Sequence, residues 1–158
     1  MASLVFGEIV KAIEGFAAGT TNVVALQRFV VDTIAGRLPA YNWVGFYMLD
    51  PDDPSVLVVG EYHGAATEHV RIPVTEGICG AAVASGETVV IDDVSSDPRY
   101  LACSIETRSE IVAPIRVSGE IVGEIDIDSH ELAAFGVDDR RFVEDCAAVV
   151  GRFMERTR

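Results

Sequence analysis

Residues 101–129, LACSIETRSEIVAPIRVSGEIVGEIDIDS, decide how this chain is read. A cysteine, Cys103, precedes one strand-like run, a turn at Ser118-Gly119, and a second run that carries a row of carboxylates. Alternation along the second run places Ile121, Gly123, Ile125 and Ile127 on one face of a sheet. Val122, Glu124, Asp126 and Asp128 fall on the other. Gly119 suits the third, left-handed position of a three-residue hairpin loop, because it lacks Cβ. That register sets Glu110 opposite Asp126 and Val112 opposite Glu124, so four acids would share one patch. A two-residue loop at Ser118-Gly119 would instead turn Glu110 to the opposite face.

Like charges side by side on a sheet repel, and two explanations compete. The simpler one, judged from the strand alone, is a solvated edge where acids deter aggregation. The chemically richer one is a pocket for a cationic group, or for a carboxyl that holds a proton it can donate.

Outward from this hairpin, the pattern is helical at both ends and strand-rich between. Residues 4–15 read as a first helix with Ser3 as its cap, and 22–38 as a second, capped by Thr20 or Thr21 and ended by Pro39. Leu26, Phe29, Val30, Thr33 and Ile34 recur at helical spacing in the second. Strands are expected over 42–49, 56–62, 69–73 and 88–91, with a plain turn at Asp50–Pro54. A short helix of small residues, 77–84, is stopped by Gly86. Residues 92–100 form a polar loop and 130–136 a connection. Asp138 then caps a closing helix with Phe142, Cys146, Val149, Val150 and Phe153 on one face. The expectation is an α+β chain, one domain over 1–158, with an antiparallel sheet of about six strands and the terminal helices on one face.

Composition narrows the function. Twelve basic residues against 25 acidic ones give a net charge of −13, and no basic cluster with interleaved aromatics offsets it, so a nucleic-acid partner is not expected. No apolar run approaches a membrane span, and the N-terminus has no basic region of a signal peptide. A cytoplasmic protein is the expectation. Three scattered cysteines fit neither a disulfide scaffold nor a zinc site. Cys146 is in phase with the helix core stripe and reads as a packed hydrophobe. Cys79, between two glycines at a helix start, is either a thiolate stabilised by backbone N–H groups or a small residue in a tight turn. Cys103, five residues before Arg108, has the better setting for a reactive thiol. His63, His69 and His130 show no catalytic or metal-binding spacing, and glycine-rich phosphate loops are absent.

Several motifs together carry a resemblance: Asn42–Tyr47 (NWVGFY), Gly77–Gly80 (GICG), Ala102-Cys103, Arg108–Val112 (RSEIV) with Pro114, and Ile125–Ser129 (IDIDS). With these, the chain resembles the GAF-domain family over roughly residues 20–155, and within it the free methionine-(R)-sulfoxide reductases. The resemblance implies a GAF-like sheet and thiol-dependent reduction of free methionine-(R)-sulfoxide or a similar small amino-acid ligand. Carried over, it makes Cys103 the nucleophile and Cys79 the resolving thiol. Trp43 and Tyr47 would line the pocket around the substrate's methyl and sulfur. Glu110, Asp126 and Asp128 would hold its ammonium and help protonate the sulfoxide oxygen. It implies no metal or organic cofactor, a thioredoxin-like dithiol as reductant, and a homodimer through the first and last helices.

The chain departs from the family in having Ala65-Ala66-Thr67-Glu68 where another cysteine is common, and Glu124 where an apolar residue is usual. The rival expectation is a non-catalytic GAF module that binds a small ligand. A chain ending soon after its last helix, without an output domain, weighs against a sensor.

Overall fold

The computed structural model describes residues 2–101 and 105–158, with Ala2 described by its backbone alone; Cys103 lies outside the described residues. One six-stranded antiparallel sheet organises it, in the order β3-β2-β1-β6-β5-β4. The strands are β1 (Trp43–Asp50), β2 (Asp53–His63), β3 (Arg71–Pro73), β4 (Val89–Ile91), β5 (Ser109–Val117) and β6 (Glu120–Ser129). Helices α1 (Ala2–Ala18), α2 (Val23–Arg37) and α4 (Val137–Thr157) share a core with one face of the sheet. The shorter α3 (Gly77–Ser85) packs on the other. The α+β expectation with terminal helices on one face is therefore met.

The helix-side core follows from the period of two. Val44, Phe46, Ile111, Ala113, Ile115, Ile125 and Ile127 meet Ile9, Ile13, Leu26, Val30, Phe142, Val150 and Phe153. Each large aliphatic removed from water in this way stabilises the fold by about 1.5–3 kcal/mol. Phe6 stacks on Phe142 with centroids 4.4 Å apart, which ties α1 to α4. Gly151 lets α4 approach β5, because a Cβ there would collide with the Arg116 carbonyl. Cys146 is fully buried in this core, as its helical phase predicts.

Helix ends differ from expectation by a residue or two. Asn22, not Thr20 or Thr21, caps α2: its side-chain oxygen accepts from the Ala25 N–H at 3.0 Å. Thr20 instead accepts from the Asn22 N–H. At α4 the cap position is Gly136, and Asp139 reaches back to accept its N–H at 3.0 Å, so Asp138 lies within the first turn. The turn expected at Asp50–Pro54 is tighter, because β2 already begins at Asp53. Gly86 ends α3 in the left-handed conformation, φ 70°, as expected.

The β5–β6 register is the consequential correction. The loop has two residues, Ser118 (φ 53°) and Gly119 (φ 83°), both left-handed, as a type I′ turn requires. By itself this loop would send Glu110 to the isoleucine face. A register shift between Ile115 and Arg116 leaves Val122 unpaired on β6, and this bulge restores the parity. Glu110 pairs with Asp128 and Val112 with Asp126, two residues away from the expected partners but on the expected face. Between the bulge and the turn the two faces exchange. Val122 packs toward the helix-side core, and Ile121 lies near Gly86 at the end of α3.

Candidate functional site under α3

The face of the sheet away from the three long helices is built from alternate residues of β1, β6 and β5. On β1, Trp43, Gly45 and Tyr47 pair with Asp128, Asp126 and Glu124 of β6. On β5, Glu110 and Val112 pair with Asp128 and Asp126. Four carboxyl groups thus share one patch with two aromatic rings. Exposure is 5% for Glu110, 0% for Glu124 and 2% for both Asp126 and Asp128. The solvated-edge explanation is overturned: β6 lies inside the sheet, and α3 covers this face.

Position 45 shows how closely this face is fitted. A Cβ there would lie inside the Trp43 indole, so glycine lets that ring fold flat against the strand. The Trp43 Nε1–H donates to the Ala65 carbonyl at 3.0 Å, and its ring stacks between Tyr47 and Tyr62. The Tyr47 hydroxyl donates to the His69 carbonyl at 2.8 Å. These bonds clamp the loop between β2 and β3 across the pocket. Gly77, φ 71°, begins α3 where a side chain would press on Leu101.

Cys79, on the first turn of α3, points at the acids. Its Sγ–H donates to Asp126 Oδ2 at 3.5 Å. Burial pushes the Cys79 thiol well above the usual thiol range, and the charges of Asp126, Glu124 and Glu110 add to this. Of the two alternatives the sequence leaves open for Cys79, the thiolate favoured by the helix N-terminus is opposed by burial and by three facing carboxyls. Cys79 rests as a neutral thiol.

The carboxyls are displaced in the same direction. Burial raises Glu124 well above the ordinary carboxylate range, and repulsion from Asp126 adds to it while the Cys79 thiol works against it. Asp128 is raised by burial and then by Asp126. Asp126 is raised by burial, with Glu110 and Cys79 pulling the other way. Both oxygens of Glu124, Oδ1 of Asp126 and Oδ1 of Asp128 have no hydrogen-bond partner among the described residues. Such groups are rare in folded interiors, where polar atoms find partners. Burial thus raises the proton affinity of Glu124, Asp126 and Asp128 together.

A small cavity sits between these groups, lined by Tyr47, His69, Ile72, Ile78, Cys79 and Leu101 with Glu110 and Asp126. Its volume is about 10 Å³, room for one water. The structure thus brings together Cys79, Glu110, Asp126 and Tyr47, with Trp43 stacked behind Tyr47 and Asp128 beside Asp126. The placement of Cys103 lies outside the described residues. His69 was missed in the sequence, where its spacing to other histidines carries no signal, whereas Glu124 was placed on the acid patch by its alternation but given no role in the site. Cys79 Sγ and one oxygen each of Glu110 and Asp126 lie within 4.8 Å of one another, the one such thiol–carboxylate group among the described residues that could hold a metal ion.

Comparison with known proteins agrees with the geometry. Residues 23–153 match the GAF domain family. The protein YtsP of Bacillus subtilis is 37% identical over 139 residues, covering 88% of this chain and 84% of its own length. The free methionine-R-sulfoxide reductase of Escherichia coli is 32% identical over 152 residues, covering 96% and 90%. The X-ray structure of the free methionine-R-sulfoxide reductase of Neisseria meningitidis, in complex with its substrate, superposes with a TM-score of 0.94 at 32% identity, over 99% of this chain and 92% of that one. The chain belongs to the GAF domain family, and within it to the group that contains the free methionine-R-sulfoxide reductases.

Proposed function

We propose that this protein reduces free methionine-(R)-sulfoxide to methionine, with Cys103 as the attacking thiol and Cys79 as the resolving one. The observation that carries the reading is the buried constellation of Cys79, Glu110, Glu124, Asp126 and Asp128 beside Tyr47. A cationic amino group gains from ionised carboxyls in a low-dielectric site, and burial raises the proton affinity of Glu124, Asp126 and Asp128, which favours proton donation from this face. Trp43 and Tyr47 offer ring faces to the methyl and sulfur. Because the cavity has room for only one water, entry of the amino acid requires its lining, His69 and Leu101 included, to move apart.

The Cys103 thiolate attacks the sulfoxide sulfur while a carboxyl of Asp126 or Glu110 gives its proton to the oxygen. The sulfoxide's sulfur–oxygen bond breaks, its oxygen passes as hydroxyl to the Cys103 sulfur, and methionine leaves with the electron pair on its sulfur, so Cys103 is oxidised to a sulfenic acid. The Cys79 thiol passes its proton to Asp126, which it already faces, its sulfur attacks the Cys103 sulfur, and the hydroxyl departs as water on taking that proton from Asp126. The resulting disulfide is reduced by a thioredoxin-like dithiol. No metal or organic cofactor takes part, and the protein works in the cytoplasm as a homodimer through α1 and α4.

The test is turnover of free methionine-(R)-sulfoxide with dithiothreitol, beside Cys103→Ser. Turnover that disappears in the variant is the expected result. A reduced wild-type protein that does not turn over, but binds a small amino acid, would make this a ligand-binding GAF module.

A further inference from the structure

We infer that Cys79, Glu110 and Asp126 form a site for a thiophilic divalent cation of the zinc type, which blocks the reductase by occupying the place of the substrate's ammonium. The inference rests on the proposed reductase reading for its effect on turnover, but not for the binding itself. Three donors converge: the thiol sulfur and two carboxylate oxygens lie within 4.8 Å of one another. All three residues are at least nine-tenths buried. One sulfur with two oxygens suits Zn2+ or Co2+ and is a poor set for Mg2+ or Ca2+, which take oxygen ligands and keep more of them.

The independent observation is Glu124. It is completely buried against the same thiol, and neither of its oxygens has a partner among the described residues. Oδ1 of Asp126 and Oδ1 of Asp128 are likewise buried without a partner among the described residues. A divalent ion supplies the missing positive charge, with Glu124 as a fourth ligand or a charge at its back. The space between these atoms admits an occupant of about one water's size, which suits an ion. On binding, the Cys79 sulfur and any protonated carboxyl among the ligands exchange their protons for the metal, and the protons leave to solvent.

Co2+ reports a thiolate ligand by its sulfur-to-metal charge-transfer absorption, and it is the probe to titrate into reduced, metal-free protein. The band should form in wild type and in Cys103→Ser, and vanish in Cys79→Ser. Glu124→Gln, which keeps the shape of the side chain, should weaken Co2+ binding by about tenfold. Circular dichroism of each variant separates lost binding from lost folding. No band in wild type, or a band that persists in Cys79→Ser, overturns the inference. Zn2+ should inhibit turnover and a chelator should restore it. A band without any turnover would fail the reductase reading alone, whereas turnover unaffected by Zn2+ would fail the cation site alone.

Discussion

Along β6, neighbouring residues are buried to the same depth in opposite surroundings. Ile125 and Ile127 are fully buried among the apolar side chains of α1, α2 and α4. Glu124, Asp126 and Asp128, interleaved with them, are 0–2% exposed under α3. Burial on the first face is favourable at every residue. On the second it leaves carboxyl oxygens without partners, and each such group costs free energy. A fold stable enough through its helix side can keep a face that works against it. A face of that kind is where proton-donating chemistry can reside, since burial raises the proton affinity of Glu124, Asp126 and Asp128.

The contrast can be broken most severely on the acid side. Asp126→Asn keeps the shape but removes the proton carrier beside Cys79, and turnover should fall by about 10²- to 10⁴-fold with unchanged circular dichroism. Ile125→Ala, the adjacent residue on the other face, should do the reverse. It should cost about 2–5 kcal/mol in urea unfolding, while the residual folded protein keeps its turnover per molecule.

Glu124→Leu sharpens the comparison, because it makes the acid face resemble the helix face. At pH 8 the variant should be more stable than wild type by about 1–3 kcal/mol. The sign follows from the direction of the shift. Burial, with repulsion from Asp126, raises the folded carboxyl above its unfolded value, so the folded state holds the proton longer. That contribution is present below the unfolded pKa, about 4, and is lost as pH rises through the folded pKa. Denaturation at pH 4 and pH 8 should therefore show the Leu variant's advantage growing with pH. An advantage independent of pH would mean that the Glu124 carboxyl has the same pKa folded and unfolded, contrary to the upward shift. The smallest effect belongs to Cys146→Ala in the helix-side core: about 1 kcal/mol of stability and turnover unchanged.

The helix-side face was legible because its pattern is local. Ile111, Ile115, Ile125 and Ile127 alternate in their own strands, and Phe142, Cys146 and Phe153 repeat at helical spacing. The acid face was legible in which residues it gathers, but not in its register or burial. The register turns on the bulge at Val122, next to Gly123, where Met48 of β1 crosses close to the backbone. That contact comes from a strand more than seventy positions earlier. Burial of the acids depends on α3, whose small residues Gly80 and Ala82 show no amphipathic signature of their own. His69 reaches the cavity through a backbone bond to Tyr47, which no side-chain motif encodes. Motif resemblance reached Glu110, Asp126 and Asp128 where period alone left two explanations open.

The most direct test of the account is calorimetric binding of free methionine-(R)-sulfoxide to reduced Cys103→Ser protein, in which no turnover is expected, beside the same protein carrying Asp126→Asn. The account predicts saturable one-site binding in the first and binding weaker by about tenfold or more in the second, the loss expected when a charge-assisted contact is removed. Equal affinity in both would contradict it, because the sulfoxide would then bind somewhere other than the acid face.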